Sequence, residues 1–137
     1  MGNSMSGELS LDALMRTLKG TLIDGVFVFV TADAMPAGLK PRMVFEEAEG
    51  TTIICLRDEA VALGLDYEFA SRMITLDVHS SLEAVGFMAV IATELAKEGM
   101  GVNPVAGFYH DHIFVPDGRE GDAMVVLERL AVEARLA

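Results

Sequence analysis

The sequence predicts an α+β fold built from two similar units in tandem, with antiparallel sheets and helices on one face. The second half predicts this because strand and helix patterns alternate there in the order β, α, β, β, α. The first half contains segments that resemble those of the second half, which indicates an internal repeat. We therefore place the units at residues 8–70 and 71–137.

The first unit is predicted to open with a helix that has Ser10 as its N-cap and Gly20 as its stop. The apolar face of that helix is formed by Leu11, Leu14, Met15 and Leu18. The stretch "VFVFV" then predicts a strand, and "MVFEEAEGTTIICL" predicts two strands around an acidic turn that ends at Gly50. A short helix is expected over residues 58–63.

The second unit is predicted to open with a strand, because polar and apolar residues alternate in "MITLDV". Ser80 and Glu83 have the spacing of a capping box, which predicts that a helix begins there. Pro104 has no N–H for a sheet hydrogen bond, so its strand is expected at an edge or a bulge. Asp117 and Glu120 offer a second capping pair for a final helix.

The βαββα order is that of a ferredoxin-like unit. "LDALMRTLKG" and "VFVFV" in the first half parallel the helix and second strand of the second half, and "EGTTIICLRDEAVALGL" parallels "DHIFVPDGREGDAMVVL". The first unit lacks a clear opening strand and the second lacks a closing strand. Because unpaired sheet edges are unfavourable, we expect each unit to borrow a strand from the other or from a partner chain.

Composition narrows the classes of function. The net charge is −11, and so acidic a surface repels phosphate backbones, which argues against nucleic-acid binding. No apolar run reaches the roughly 20 residues that span a bilayer, so we expect no membrane insertion. The single cysteine, Cys55, lies in an apolar strand pattern, which predicts a buried, reduced thiol in a cytoplasmic protein. The sequence predicts no cofactor.

The amino terminus has a loose modification pattern. Gly2 and Ser6 fit the short motif for N-myristoylation, although a frayed, small-residue terminus explains the same residues.

The three histidines of the chain are predicted to lie near one another. In a ferredoxin-like unit the first and third strands are antiparallel neighbours, so His79 at the end of the first strand lies at the same end of the sheet as His112. His110 and Asp111 belong to the adjoining hairpin. The first helix also begins there, and its free N–H groups favour anions.

Three uses of this group remain open at the sequence level. In the first, the group captures a small carboxylate, and Ser80 and Ser81 add hydroxyl groups. In the second, His79, His110, Asp111 and His112 hold a metal ion. In the third case Asp111 caps the turn and the histidines bond to backbone carbonyls.

Catalysis is less favoured than any of these three uses. His79, Ser80 and Asp111 supply the residue types of a catalytic triad, but "HSSLE" fits a helix cap better than a nucleophilic serine. The acidic stretch "EEAEG" is explained more simply by a solvated hairpin than by paired catalytic carboxylates. We therefore predict no enzyme activity.

The stretch from Ile74 to Pro116 resembles an ACT domain, and "HSSLEAVG" with "GFYHDHIFVP" resembles a bacterial family of small, largely uncharacterised tandem ACT-like proteins. "FEEAEGTTIIC" in the first half fits the same pattern. The resemblance implies that the loop between the first strand and the first helix of the second unit contacts a ligand. The candidate ligand-binding residues are His79, Ser80, Ser81, Ala84, Val85, Gly86, Asn103, His110, Asp111 and His112.

The resemblance also implies a function. We expect a small-molecule-binding regulatory protein that binds an amino acid or a similar carboxylate at a unit or subunit interface. The incomplete sheets favour a homodimer. The alternatives are an interaction module for a partner enzyme, which binds no ligand, and a His/Asp metal-binding protein.

Overall fold

The structure is a computed structural model that describes residues 7–137, so Gly2 and Ser6 lie outside the described residues. This part of the chain contains four helices and seven strands. In chain order they are α1 (Leu11–Arg16), β1 (Gly20–Leu22), β2 (Phe27–Ala32), β3 (Met43–Glu47), β4 (Gly50–Leu56), α2 (Arg57–Ala62), β5 (Glu68–Leu76), α3 (Phe87–Lys97), β6 (Asn103–Ala106), β7 (Asp111–Pro116) and α4 (Glu120–Leu136).

The strands form one continuous antiparallel sheet in the order β3-β4-β2-β5-β7-β6. β1 and β2 both lie on the same side of β5. β2 pairs with the amino-terminal part of β5, and β1 pairs with its carboxyl-terminal part, from Ile74 to Leu76. The predicted fold class, α+β with two ferredoxin-like units and an antiparallel sheet, is confirmed. The strand that contains Pro104 is an edge strand, as predicted.

β5 is shared by both units. Its amino-terminal half lies beside β2 and closes the first unit, while its carboxyl-terminal half opens the second unit. β1 occupies the place of the closing strand that the second unit lacks. Each unit is therefore completed by the other within one chain. The predicted boundary between residues 70 and 71 lies inside β5, and the division into units stays a prediction.

The helices cover one face of the sheet. α1, α3 and α4 pack on Ile74, Leu76, Ile113 and Val115 of the two central strands. α1 and the residues just after it add Leu14, Met15 and Leu18 to this core. Ser10 is the N-cap of α1, as predicted, because the Ala13 N–H donates to Ser10 Oγ at 3.2 Å. α2 covers a smaller core on the same sheet, which includes Val28, Ile53 and Cys55.

The opposite face carries a core to which no helix of the described residues contributes. Its buried members are Phe27, Ile54, Met73 and Phe114. The rings of Phe27 and Phe114 meet edge to face with centroids 5.9 Å apart. These side chains are buried because the sheet curls and closes over its own apolar surface.

Two predictions about the second unit's helices are corrected by the structure. α3 begins at Phe87 instead of near Ser80, and its N-cap is Gly86, a residue type that tolerates the left-handed conformation found there (φ 91°). Ser80 and Glu83 therefore form no capping box. At α4 the N-cap is Arg119, while Glu120 Oε1 accepts from the Gly118 N–H at 2.7 Å, so the predicted Asp117–Glu120 pair does not form.

The predicted repeat is right in one part and wrong in another. β4 with α2 corresponds to β7 with α4, as predicted. β2 does not correspond to the second strand of the second unit, because it pairs with both β4 and β5 as the first strand of its own unit. A loop, residues 33–42, stands where the second unit has α3, and α1 packs on the core of the second unit.

Candidate functional site

The candidate site lies where β5 ends and β7 begins. The pairing of Thr75 with His112 fixes these two strand ends side by side. The His79 ring lies against the Tyr109 ring with centroids 5.3 Å apart, and His110 Nδ1 lies 3.2 Å from the Val78 carbonyl oxygen. The structure thus brings the three histidines to one end of the sheet.

Asp111 is tied to the loop that follows β5. Ser80 Oγ donates to Asp111 Oδ2 at 3.3 Å, and Ser80 is only 5% exposed. Partial burial raises the pKa of the Asp111 carboxyl, and the Ser80 hydrogen bond and the neighbouring His112 and His110 offset part of that rise. The carboxylate is therefore desolvated and held by one hydroxyl donor.

His112 lies on the other face of the sheet from Asp111, because neighbouring residues on a strand point to opposite sides. Thr75 Oγ1 and His112 Nδ1 are 3.0 Å apart. Burial lowers the pKa of His112, the charge of His110 lowers it further, and Asp111 counteracts this. His112 shares the end of the sheet with the other two histidines but does not face the Ser80–Asp111 pair.

This arrangement gives no support to the metal alternative. Within residues 7–137, no three His, Cys, Asp or Glu side chains lie close enough together to hold a metal ion. His79, His110, Asp111 and His112 are divided between the two faces of the sheet and the loop beside it. The side-chain hydrogen-bond partners of His110, Asp111 and His112 are, in turn, the Val78 carbonyl, Ser80 and Thr75.

A triad arrangement is also missing from this group. Ser80 donates directly to Asp111, so no imidazole stands between the hydroxyl and the carboxylate. A nucleophilic serine needs a histidine that accepts its proton, with the acid behind that histidine. The order of contacts at this site is the wrong one for acyl transfer.

The loop before α3 supplies several polar groups. Ser81 is 7% exposed, its Oγ accepts from the Glu83 N–H at 3.1 Å, and its carbonyl accepts from the Ala84 N–H at 3.0 Å. Gly86 places the first free N–H groups of α3 at the end of this loop. Val85 is 83% exposed beside them.

His79 differs from the other polar residues of the site, whose side chains have hydrogen-bond partners. Its Nε2 atom is buried and has no hydrogen-bond partner among the described residues. A buried polar atom without a partner is rare and unfavourable in proteins. Nε2 of His79 is therefore the one atom of the group that lacks the partner its position requires.

A segment near the amino terminus also forms part of the site, although no sequence pattern predicts it. The Glu8 N–H donates to the His79 carbonyl at 2.7 Å, and the Ser81 N–H donates to the Glu8 carbonyl at 2.9 Å. Gly7 is required for this approach: a Cβ there would lie 2.8 Å from the backbone of residues 79–81. No strand pattern precedes Ser10, so only this glycine could have drawn attention to the segment.

Asn103 does not join the other candidate residues. It begins β6 and pairs with Phe114, whereas the other end of β6, at Ala106, pairs with Asp111. The two ends of β6 are three residue steps apart, which is about 10 Å along the strand. Asn103 therefore lies away from the hairpin that carries His110 and Asp111.

Exposed apolar side chains surround the site. Leu82, Val85, Phe108 and Tyr109 are between 61% and 83% exposed and lie on the loop before α3 and on the β6–β7 hairpin. Large apolar side chains left exposed on two neighbouring loops are typical of an interaction site. We call these four residues the apolar rim.

No helix in the described part of the chain is long and apolar enough to cross a membrane.

The comparisons with known proteins give a consistent result. Two family models described as "ACT domain" match residues 6–72 and 68–129. A solved structure from Vibrio cholerae, a protein of unknown function described as a possible transport protein, is 37% identical; the match covers 88% of this chain and 95% of that one, with a TM-score of 0.81. No curated protein matches the chain.

More distant structures share the fold. A protein from Agrobacterium tumefaciens is 16% identical over 83% of this chain and 89% of that chain, with a TM-score of 0.72. The regulatory subunit of aspartate kinase from Thermus flavus is 7% identical over 82% of this chain and 96% of that chain, with a TM-score of 0.58.

Proposed function

The chain belongs to the ACT domain family, and from this premise we propose that it is a regulatory protein that binds a small molecule. The ligand we propose is an amino acid or a related small carboxylate, bound at the loop between β5 and α3. The similarity to a regulatory subunit of aspartate kinase agrees with a regulatory role, although at 7% identity it concerns the fold alone.

The observation that carries the proposal is the buried Nε2 of His79, which has no partner within residues 7–137. A ligand that hydrogen-bonds to this atom removes an unfavourable buried group, and that gain adds to the affinity. The free N–H groups at the start of α3 and the Ser81 hydroxyl lie on the same loop and favour a carboxylate. Asp111 offers a negative charge for the ammonium group of an amino acid.

Ligand binding is proposed to act through association of subunits. The apolar rim lies on the loop before α3 and on the β6–β7 hairpin, so a second copy of the chain packed on it would cover a ligand bound at the loop. A ligand that contacts both copies stabilises the dimer, because it binds the associated state better than the monomer. We further propose that the protein is cytoplasmic and takes no part in catalysis.

The test is a thermal-shift screen of free amino acids and related small carboxylates. We expect one of them to raise the melting temperature, since a ligand that binds only the folded state stabilises it by mass action. The rise should be reduced in Ser81→Ala and in His79→Gln. His112→Gln is the matched control, because its ring is on the other face of the sheet. If none of these compounds raises the melting temperature, the proposal is wrong.

A second candidate is an interaction module that binds a partner enzyme and no small molecule. The apolar rim supports it, because four large apolar side chains stay exposed at one end of the sheet. Recovery of a stoichiometric partner together with no response to any amino acid would favour this candidate.

A further inference from the structure

The face of the sheet opposite the helices contains a cavity of about 100 Å³. Met43 of β3 and Val105 of β6 both line it, although these are the two edge strands of the sheet. The curl of the sheet brings its two edges together across this space. Met73 and Phe114, from the central strands β5 and β7, complete the apolar lining. The cavity is therefore a product of the whole sheet and does not belong to either unit alone.

Arg42 gives this apolar cavity a positive charge. Its guanidinium lies 5.1 Å from the centroid of the Phe27 ring, and the residue is anchored because its N–H donates to the Ile54 carbonyl at 2.7 Å. No carboxylate of the described residues lies within ion-pair distance of it. Stacking on the ring leaves the N–H donors at the edge of the guanidinium available, and their fork matches a carboxylate.

His112 provides a second polar group in the lining. Its Nδ1 is engaged with Thr75 Oγ1 at 3.0 Å, which fixes the ring and leaves Nε2 for another partner. Apolar walls with a few fixed polar groups are the usual composition of a small-molecule site. The lining contains no Asp or Glu.

We propose that this cavity binds a small carboxylate that has a short, branched alkyl tail and no amino group, such as isovalerate. The carboxylate lies against Arg42 and His112, and the tail fills the space between the edge strands. The volume fits: an apolar cavity of about 150 Å³ accepts benzene, so 100 Å³ suits a tail of three or four carbons. An ammonium group is excluded because it would be desolvated with no acidic partner in the lining.

This site is separate from the loop between β5 and α3. The loop flanks the helical face of the sheet and Asp111 is near it, whereas the cavity is on the opposite face and has only cationic or neutral polar groups. The two sites are therefore expected to take different ligands: an amino acid at the loop and an alkanoate in the cavity. The proposal for the cavity does not rest on the proposal for the loop.

The experiment is a titration of the ¹⁵N-labelled full chain with isovalerate, followed by NMR. We expect saturable shifts at the amides of Met43, Met73, Val105 and Phe114. Arg42→Gln should weaken binding at least tenfold, and Val105→Phe, which fills the cavity, should abolish it. Arg57→Gln is the matched control, because Arg57 also has no ion-pair partner among the described residues and does not line the cavity.

Several results would overturn the proposal. One is the absence of saturable shifts with isovalerate; another is equal binding by the wild type, Arg42→Gln and Val105→Phe. Arg42 is on the surface, so its variant should fold even if Val105→Phe does not. Valine, which is isovalerate with an ammonium group on its α carbon, should leave the cavity amides unshifted, and a shift there would contradict the exclusion of amino acids. Ser81→Ala should bind isovalerate as the wild type does, because Ser81 does not line the cavity. A failure of the cavity proposal can therefore be told apart from a failure of the proposal for the loop between β5 and α3.

Discussion

Ser80 Oγ lies 3.3 Å from Asp111 Oδ2, and this hydrogen bond joins the loop after β5 to the first residue of β7. The two residues are 31 positions apart in sequence and are brought together by the antiparallel pairing of β5 with β7. The bond holds the candidate ligand loop against the sheet.

Replacing Ser80 with alanine should lower the free energy of unfolding by about 1–3 kcal/mol, because it leaves a half-buried carboxylate without its hydroxyl donor. Urea denaturation at pH 7 measures the change. In an Asp111→Asn background the same replacement should cost less, since the neutral amide is less costly to leave unpaired. Equal losses in both backgrounds would show that the two side chains are not coupled.

His112 should make stability depend on pH. The pKa of His112 in the folded chain is lowered from the ordinary 6.5, chiefly by burial. Between pH 6.5 and this lower pKa, the unfolded chain therefore binds a proton at His112 that the folded chain does not bind. The free energy of unfolding therefore loses nothing to protonation of His112 above about pH 7, and it decreases as the pH falls toward the folded-state pKa. Melting temperatures between pH 5 and 8 should fall with acid, and the fall should be smaller in His112→Gln. An unchanged slope in this variant would contradict the assignment.

Gly7 should be needed for the amino-terminal segment to dock on the loop. Its φ is +89°, and a Cβ would lie 2.8 Å from backbone atoms of residues 79–81. Gly7→Ala should cost about 1–3 kcal/mol of stability from strain or lost contacts and should speed hydrogen exchange at the Glu8 and Ser81 amides. Gly101→Ala is the control, because nothing lies within 4 Å of the Cβ position there. Slow exchange at both amides in Gly7→Ala would refute the prediction.

Leu14 should be essential to the core of the second unit, although it lies within residues 8–70, the range predicted for the first unit. It is 1% exposed in the core formed by α1, α3 and α4. Leu14→Ala should destabilise the protein by about 2–5 kcal/mol, as for other buried leucines. Leu136→Ala removes the same atoms from a side chain that is 82% exposed and should change stability by less than about 0.5 kcal/mol. Similar denaturation midpoints for the two variants would show that α1 is not part of this core.

Much of the fold could be predicted from the sequence because its signals are local. The Ser10 cap, the acidic hairpin that ends at Gly50 and the edge position of Pro104 each depend on neighbouring residues or on one missing N–H. The contact of His79 with the β6–β7 hairpin is predicted because the first and third strands of a ferredoxin-like unit are antiparallel neighbours.

The rest depends on long-range contacts that leave no pattern in the sequence. A three-residue strand such as β1 is too short to show alternation, and it forms because β5 offers a free side to pair with. The start of α3 was misplaced because Ser80 has a tertiary partner, Asp111, in place of a helix N–H. The cavity beside Arg42 depends on the curl of the whole sheet, which no local stretch reveals.

Binding of an amino acid at the loop between β5 and α3 can be measured by NMR, in a titration of the ¹⁵N-labelled protein with each of the twenty amino acids. We expect one of them to cause saturable shifts at the amides of residues 79–86 and of Tyr109, His110 and Asp111. If none of the twenty shifts these amides, or if the shifts occur only on the opposite face of the sheet, the loop is not an amino-acid site.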